Sequence, residues 1–241
     1  MFSHIVKELK FDNQSEIIPV YLGICEKDNL VSSFECHSIL STEEKLLMEE
    51  MKLQTRRKSY FLGRYIAKRT LSHCFSIDDF QDIVIKNGIF GQPYLDNPTL
   101  KTVSLSLSHS ANMACVLVFP QNIIMGIDIE EYKDRNYEFL EKSLNDAERN
   151  ILFSSGLLNM RGFTKLWSIK EALSKCTFTG MRSPMNIYSI NSVEVCSDGV
   201  TTGTFKNFNQ YKFYNFSIDN YSISLVFPKQ LLLNGGVKMI F

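Results

Sequence analysis

The sequence has no excess of charge of either sign: 26 Lys+Arg stand against 26 Asp+Glu in 241 residues. That balance removes the general electrostatic attraction to nucleic acid or an anionic membrane, leaving only local patches to act. No two of the six cysteines (Cys25, Cys36, Cys74, Cys115, Cys176 and Cys196) form a C-x-x-C pair. They read as reduced, mostly buried thiols rather than a disulfide framework. No apolar run approaches the ~18 residues of a transmembrane helix, and the opening MFSHIVKELKFDN lacks the apolar core of a signal peptide. Low-complexity segments, Pro-rich linkers and solenoid repeats are absent too. The expectation is a soluble, cytoplasmic protein. Its 44% hydrophobic and 22% charged composition is that of a folded chain. Its length suits one large domain or two of about 120 residues.

What is present is an alternation of strands and helices. Residues 16–26 read as a strand. Ser41 and Glu44 form a capping box that opens a helical pattern running, with a break, to about His73. Residues 82–95 read as a strand pair turning at Asn87 and Gly88. Residues 102–119 read as two strands around a turn containing Ser108, His109 and Ser110. A strand at 123–130, helices near 135–155 and 162–176, and β-rich stretches at 186–196, 200–218 and 220–227 follow. Strand, helices, then strands, twice over, predicts an α+β protein of two similar halves, 1–120 and 121–241.

Chemistry-bearing residues gather in the second half. In GIDIE, Asp128 and Glu130 are two apart on a strand, so both carboxylates share one face while Ile127 and Ile129 take the other. Two hard oxygen donors at that separation suit Mg²⁺, and a solvated acidic strand face is the plain alternative. On the helix at 162–176, Leu166, Ile169, Leu173 and Cys176 form the buried stripe, whereas Glu171 and Lys175 lie together on another face. These two are either an exposed ion pair or a third ligand (or base) beside a phosphate-binding cation.

Gly126, Asp128 and Glu130, followed about 40 residues later by Trp167, Lys170, Glu171 and Lys175, resemble the paired signature of 4′-phosphopantetheinyl transferases, in particular the long single-chain, surfactin-synthetase-activating type. Phe61, Gly63 and Arg64, then Gly91, Gln92 and Pro93, then Ser106, Ser108, His109 and Ser110 follow in the family's order. The resemblance implies a pseudo-two-fold α+β fold with the active site in the cleft between halves. It also implies transfer of phosphopantetheine from coenzyme A to a serine of an apo acyl, peptidyl or aryl carrier protein, with release of 3′,5′-adenosine bisphosphate. Asp128, Glu130 and Glu171 become the ligands of Mg²⁺, with Mn²⁺ the alternative. Glu171 and Lys175 become the catalytic pair, and Ser108, His109, Arg64, Gln92, Lys170 and Lys175 the coenzyme A contacts. No nucleic-acid or membrane partner is expected, and two halves in one chain suit a monomer.

Seven basic residues and no acidic one lie between Lys52 and Arg69. On a helix Arg57, Arg64 and Lys68 form one basic stripe, which reads as a solvated face or as a match for a ligand with three phosphates. Two features depart from the family pattern. Gln92 stands where many relatives have Lys or Arg, and Glu44 and Leu47 fall where some carry lysines. Three other readings carry less. A catalytically silent protein of the same fold would bind coenzyme A or a carrier without turnover. A nucleic-acid module built on Arg56, Arg57 and Lys58 lacks a motif. A zinc site from Cys36, His37, His73 and Cys74 has adjacent ligands and poor tetrahedral geometry.

Overall fold

Capping and helical period set where the first helices begin and end. In the computed structural model, described over residues 2–27, 38–133, 137–197 and 199–236, the Ser41 side chain accepts the Glu44 amide and Glu44 returns a bond to the Ser41 amide. This opens α1 (Thr42–Glu50). The chain is extended at Met51, and α2 (Gln54–Phe75) starts after it. The Arg57 guanidinium seals this break by donating to the carbonyls of Met51 (2.6 Å) and Glu49 (2.8 Å). Cys36 and His37, weighed above as zinc ligands, lie outside the described residues.

The chain divides into two compact units, Met1–Lys10 with Ile18–Ile123, and Phe11–Ile17 with Ile124–Phe241. The first holds most of β1 (Phe2–Asp12) and β2 (Ile17–Lys27), then α1, α2, the short pair β3 (Ile85–Asn87) and β4 (Pro93–Leu95), β5 (Val103–Ser110) and β6 (Met113–Pro120). The hairpin predicted at Asn87 and Gly88 is real, but its loop runs over Gly88–Gln92 rather than two residues. Strand β1, its charged residues obscuring the alternation, was not foreseen. In this unit β1, β2, β6 and β5 lie side by side, and α2 packs on them through Phe61, Leu62, Ile66 and Leu71.

The second unit contains β7 (Gly126–Glu131), α3 (Tyr137–Lys142), α4 (Asp146–Ser154), α5 (Met160–Cys176), β8 (Ile190–Val195), β9 (Thr201–Phe205), β10 (Tyr211–Ile218), β11 (Tyr221–Pro228) and β12 (Leu232–Leu233). Its sheet runs β7-β11-β10-β9-β8 and is antiparallel throughout. The segment 11–17 belongs here because Phe11 and Asp12 pair with Leu233 and Leu232, which moves it out of the half predicted from the sequence. Helix α5 buries Leu166, Ile169, Leu173 and Cys176 on this sheet, the stripe its periodicity predicts.

One local device recurs in each unit. Glu44, third residue of α1, accepts the amide of Ile85, the first residue of β3, and pairs with Lys68 of α2 at 2.6 Å. The Lys68 ammonium also donates to the Ile39 carbonyl, two residues before the cap. In the second unit Asn145 and Glu148 form the capping box of α4. Glu148 accepts the amide of Ile190, the first residue of β8, and pairs with Lys170 of α5 at 2.7 Å. Lys170 donates to Ser143, again two residues before the cap. Each carboxylate thus ties a helix start, a strand start and the long helix together. Both pairs are at most 1% exposed, and breaking such a pair typically costs about 3–5 kcal/mol because an uncompensated charge stays buried. Among the described residues no helix is long and apolar enough to cross a membrane.

Candidate active site

The alternation of β7 aims its acids at α5. Ile127 and Ile129 are fully buried on one face, and Gly126, Asp128 and Glu130 share the other. A Cβ on Gly126 would come within 2.1 Å of the Ala172 carbonyl, so only glycine lets α5 lie this close to the strand. Asp128 is 2% exposed. The Lys175 ammonium donates to Asp128 Oδ1 at 2.8 Å and to the Ile127 carbonyl at 3.1 Å. About two turns earlier on α5, the Trp167 indole Nε1 donates to Glu130 Oε1 at 3.2 Å.

Glu171 lies between these two anchors in sequence. Its carboxyl is pushed up to about 7, chiefly by burial and next by the negative charge of Asp128, with Lys175 pulling the other way. Asp128, Glu171 and Lys175 are therefore one electrostatic group carried by β7 and α5. The helical ion pair that spacing alone suggests for Glu171 and Lys175 is replaced by a longer reach: Lys175 crosses to the strand.

A hard divalent ion is the group the resemblance adds here. Among the described residues no cluster of three or more His, Cys, Asp or Glu is drawn together closely enough to hold one, so the three-acid ligand set is not preassembled. The chemistry of the donors still fits such an ion at two positions. A buried Asp128 raising the cost of ionising Glu171 is the like-charge conflict that a dication relieves. Glu130, engaged by Trp167, belongs less closely to that pair.

Five of the residues expected to contact coenzyme A are held within the fold or divided between strand faces. Lys170 is 1% exposed and held by Glu148 and Ser143. Arg64, 3% exposed, sits 3.3 Å from Glu44 and donates to Asn87 Oδ1, bracing the β3–β4 hairpin. The Gln92 side chain folds over Gly88 and accepts the Phe90 amide at 3.0 Å, closing the hairpin tip. Ser108 and His109 lie within β5, just before its last residue Ser110, rather than in a turn. Their side chains alternate, with Ser108 buried and His109 exposed, so they cannot present themselves together on one face. The basic stripe is likewise used up, Arg57 at the α1–α2 break and Arg64 and Lys68 around Glu44.

The role of Trp167 and the Glu148 lock escaped the sequence reading. Signals existed for both: Trp167 lies one turn before Glu171 on the same face, and Lys170 falls about 40° from Leu166, at the edge of the apolar stripe.

Two carboxylates, one of them titrating near neutrality, and a fixed lysine are the equipment of an enzyme that transfers phosphate-linked groups. The chain matches the 4′-phosphopantetheinyl transferase superfamily over residues 124–226, which span these elements. It is similar to the holo-[acyl-carrier-protein] synthase of Petrotoga mobilis, 29% identical over 36% of this chain and 83% of that one. A phosphopantetheinyl transferase of a Thraustochytrium species is 22% identical over 59% of this chain and 54% of its own. The 4′-phosphopantetheinyl transferase gsp of Aneurinibacillus migulanus is 23% identical over 69% and 67%. The chain thus spans from about half to most of the length of the relatives it matches.

Proposed function

We propose that this chain transfers the 4′-phosphopantetheine group of coenzyme A to a serine hydroxyl of an apo acyl or peptidyl carrier protein, releasing 3′,5′-adenosine bisphosphate. The observation that carries the reading is the joint placement of Asp128, Glu171 and Lys175 on β7 and α5. The two-unit chain and its likeness to gsp favour the long single-chain type over the short synthases.

In this reading the serine oxygen attacks the β-phosphorus and the bond to the bridging oxygen of the pyrophosphate breaks. Glu171, half ionised near neutral pH, takes the serine proton. Lys175 offers a compact positive charge to the phosphate on which negative charge grows. Before substrate binds, Asp128 holds Lys175 beside the site through its 2.8 Å contact. Asp128 and Glu171 would hold Mg²⁺, with Mn²⁺ the alternative and Glu130 a further donor. The ion, when bound, supplies Lewis-acid stabilisation of the phosphate oxygens.

The test is incubation of the full chain with coenzyme A, Mg²⁺ and a panel of apo carriers, read by intact mass. Addition of one phosphopantetheine group to a carrier serine supports the proposal. A stoichiometric complex with coenzyme A or carrier and no mass gain on any carrier would instead favour a silent binding protein.

A further inference from the structure

The Lys175 ammonium stands where a cation bound to Asp128 would stand. It is 2.8 Å from Oδ1 of a carboxylate that is itself 2% exposed, and its second bond, to the Ile127 carbonyl at 3.1 Å, fixes it there from the strand side. Lys175 is 24% exposed, so its side chain also reaches solvent. We infer that Lys175 competes with the divalent ion for Asp128, so that the ion binds weakly until a phosphate of the nucleotide substrate draws the ammonium away.

The inference rests on the proposed function, but it concerns this chain's own lysine rather than the existence of the metal site. An ammonium and a dication cannot share Asp128 Oδ1 without strong repulsion, because at such separations two like charges in a partly buried site oppose each other by several kcal/mol before screening. Displacing Lys175 from Asp128 needs an anion to receive it. A pyrophosphate is such an anion, and a flexible lysine is suited to exchange one oxygen for another. Because each ligand then removes the obstacle to the other, cation and coenzyme A affinities rise together and by the same factor. Such a lysine keeps the carboxylates from collecting divalent ions in unproductive complexes.

The experiment measures Mn²⁺ affinity of the intact chain by electron paramagnetic resonance, alone and with saturating coenzyme A. The variants are Lys175→Met, Lys175→Arg and Asp128→Asn, with Lys175→Gln replacing the methionine variant if that one does not fold. The inference expects Lys175→Met to bind Mn²⁺ alone about tenfold more tightly than the natural chain, within the ordinary range of coupling between sites. Lys175→Arg should stay close to the natural chain, and Asp128→Asn should lose the ion. If the natural chain binds Mn²⁺ with coenzyme A, but Lys175→Met binds it alone no more tightly, the competition is overturned and the proposed function stands. If none of the chains binds Mn²⁺ under either condition, the metal-assisted reading itself fails and takes the inference with it.

Discussion

Burial and the neighbouring Asp128 charge push the Glu171 carboxyl up to about 7, against an ordinary value of 4.5. Between those two values the folded chain keeps a proton that the unfolded chain has released. Stability therefore falls as pH rises through that window. Glu171→Gln removes the conflict. It should melt above the natural chain at pH 8, by the equivalent of about 1–2 kcal/mol, and together with it at pH 4. Calorimetry across that range checks this, and a variant no more stable at pH 8 would contradict the placement of Glu171 beside Asp128. The same substitution should lower kcat by about 10²–10⁴, because it also removes the base. In the natural chain the rate should fall as pH drops below about 7, where Glu171 takes up its proton. Trp167→Phe keeps a ring against Phe139, 4.9 Å away between centroids, but deletes the donor to Glu130. It should lower kcat or metal affinity several-fold and cost no more than about 1.5–3 kcal/mol of stability, the worth of one hydrogen bond to a charged acceptor.

The element that decides between structural and functional lysines is α5. Lys170 and Lys175 lie five residues apart and look alike as sequence, yet one faces Glu148 and the other Asp128. Lys170→Ala should cost about 3–5 kcal/mol in urea unfolding, because Glu148 would stay buried without its cation. The double replacement Glu148→Gln with Lys170→Met should recover much of that loss. A coenzyme A contact at Lys170 would instead show as a raised KM in a stable protein. This element also marks the limit of what the sequence discloses. Asp128 beside Glu130, and Glu171 beside Lys175, follow from strand and helix periods, which are local. The bond from Lys175 to Asp128 spans 47 residues and that from Trp167 to Glu130 spans 37, so both depend on how closely α5 settles on β7. That approach is set by Gly126, whose meaning appears only once the helix is in place. The β-strand order was legible as a succession of elements, and a break in the first helical pattern was expected, whereas β1 was hidden by its charges.

At the scale of the whole molecule the charge balance of zero hides a sorted distribution. Of the seven basic residues from Lys52 to Arg69, Arg57 seals α1, Arg64 and Lys68 surround Glu44, and Arg69 lies over the rings of Tyr65 and Phe80. Lys52 and Arg56 are exposed near the start of α2. Carrier proteins are expected to be acidic partners, and rim charges of this kind govern encounter more than final affinity. Lys52→Glu combined with Arg56→Glu should therefore raise KM for an acidic carrier by about tenfold at low ionic strength and leave KM for coenzyme A unchanged. The difference should shrink as salt is added, since exposed charges are screened within a Debye length of about 10 Å at 0.1 M. Steady-state kinetics with each substrate varied in turn separates the outcomes. An unchanged carrier KM would assign these two cations to solvation alone, and a raised coenzyme A KM would return them to the nucleotide.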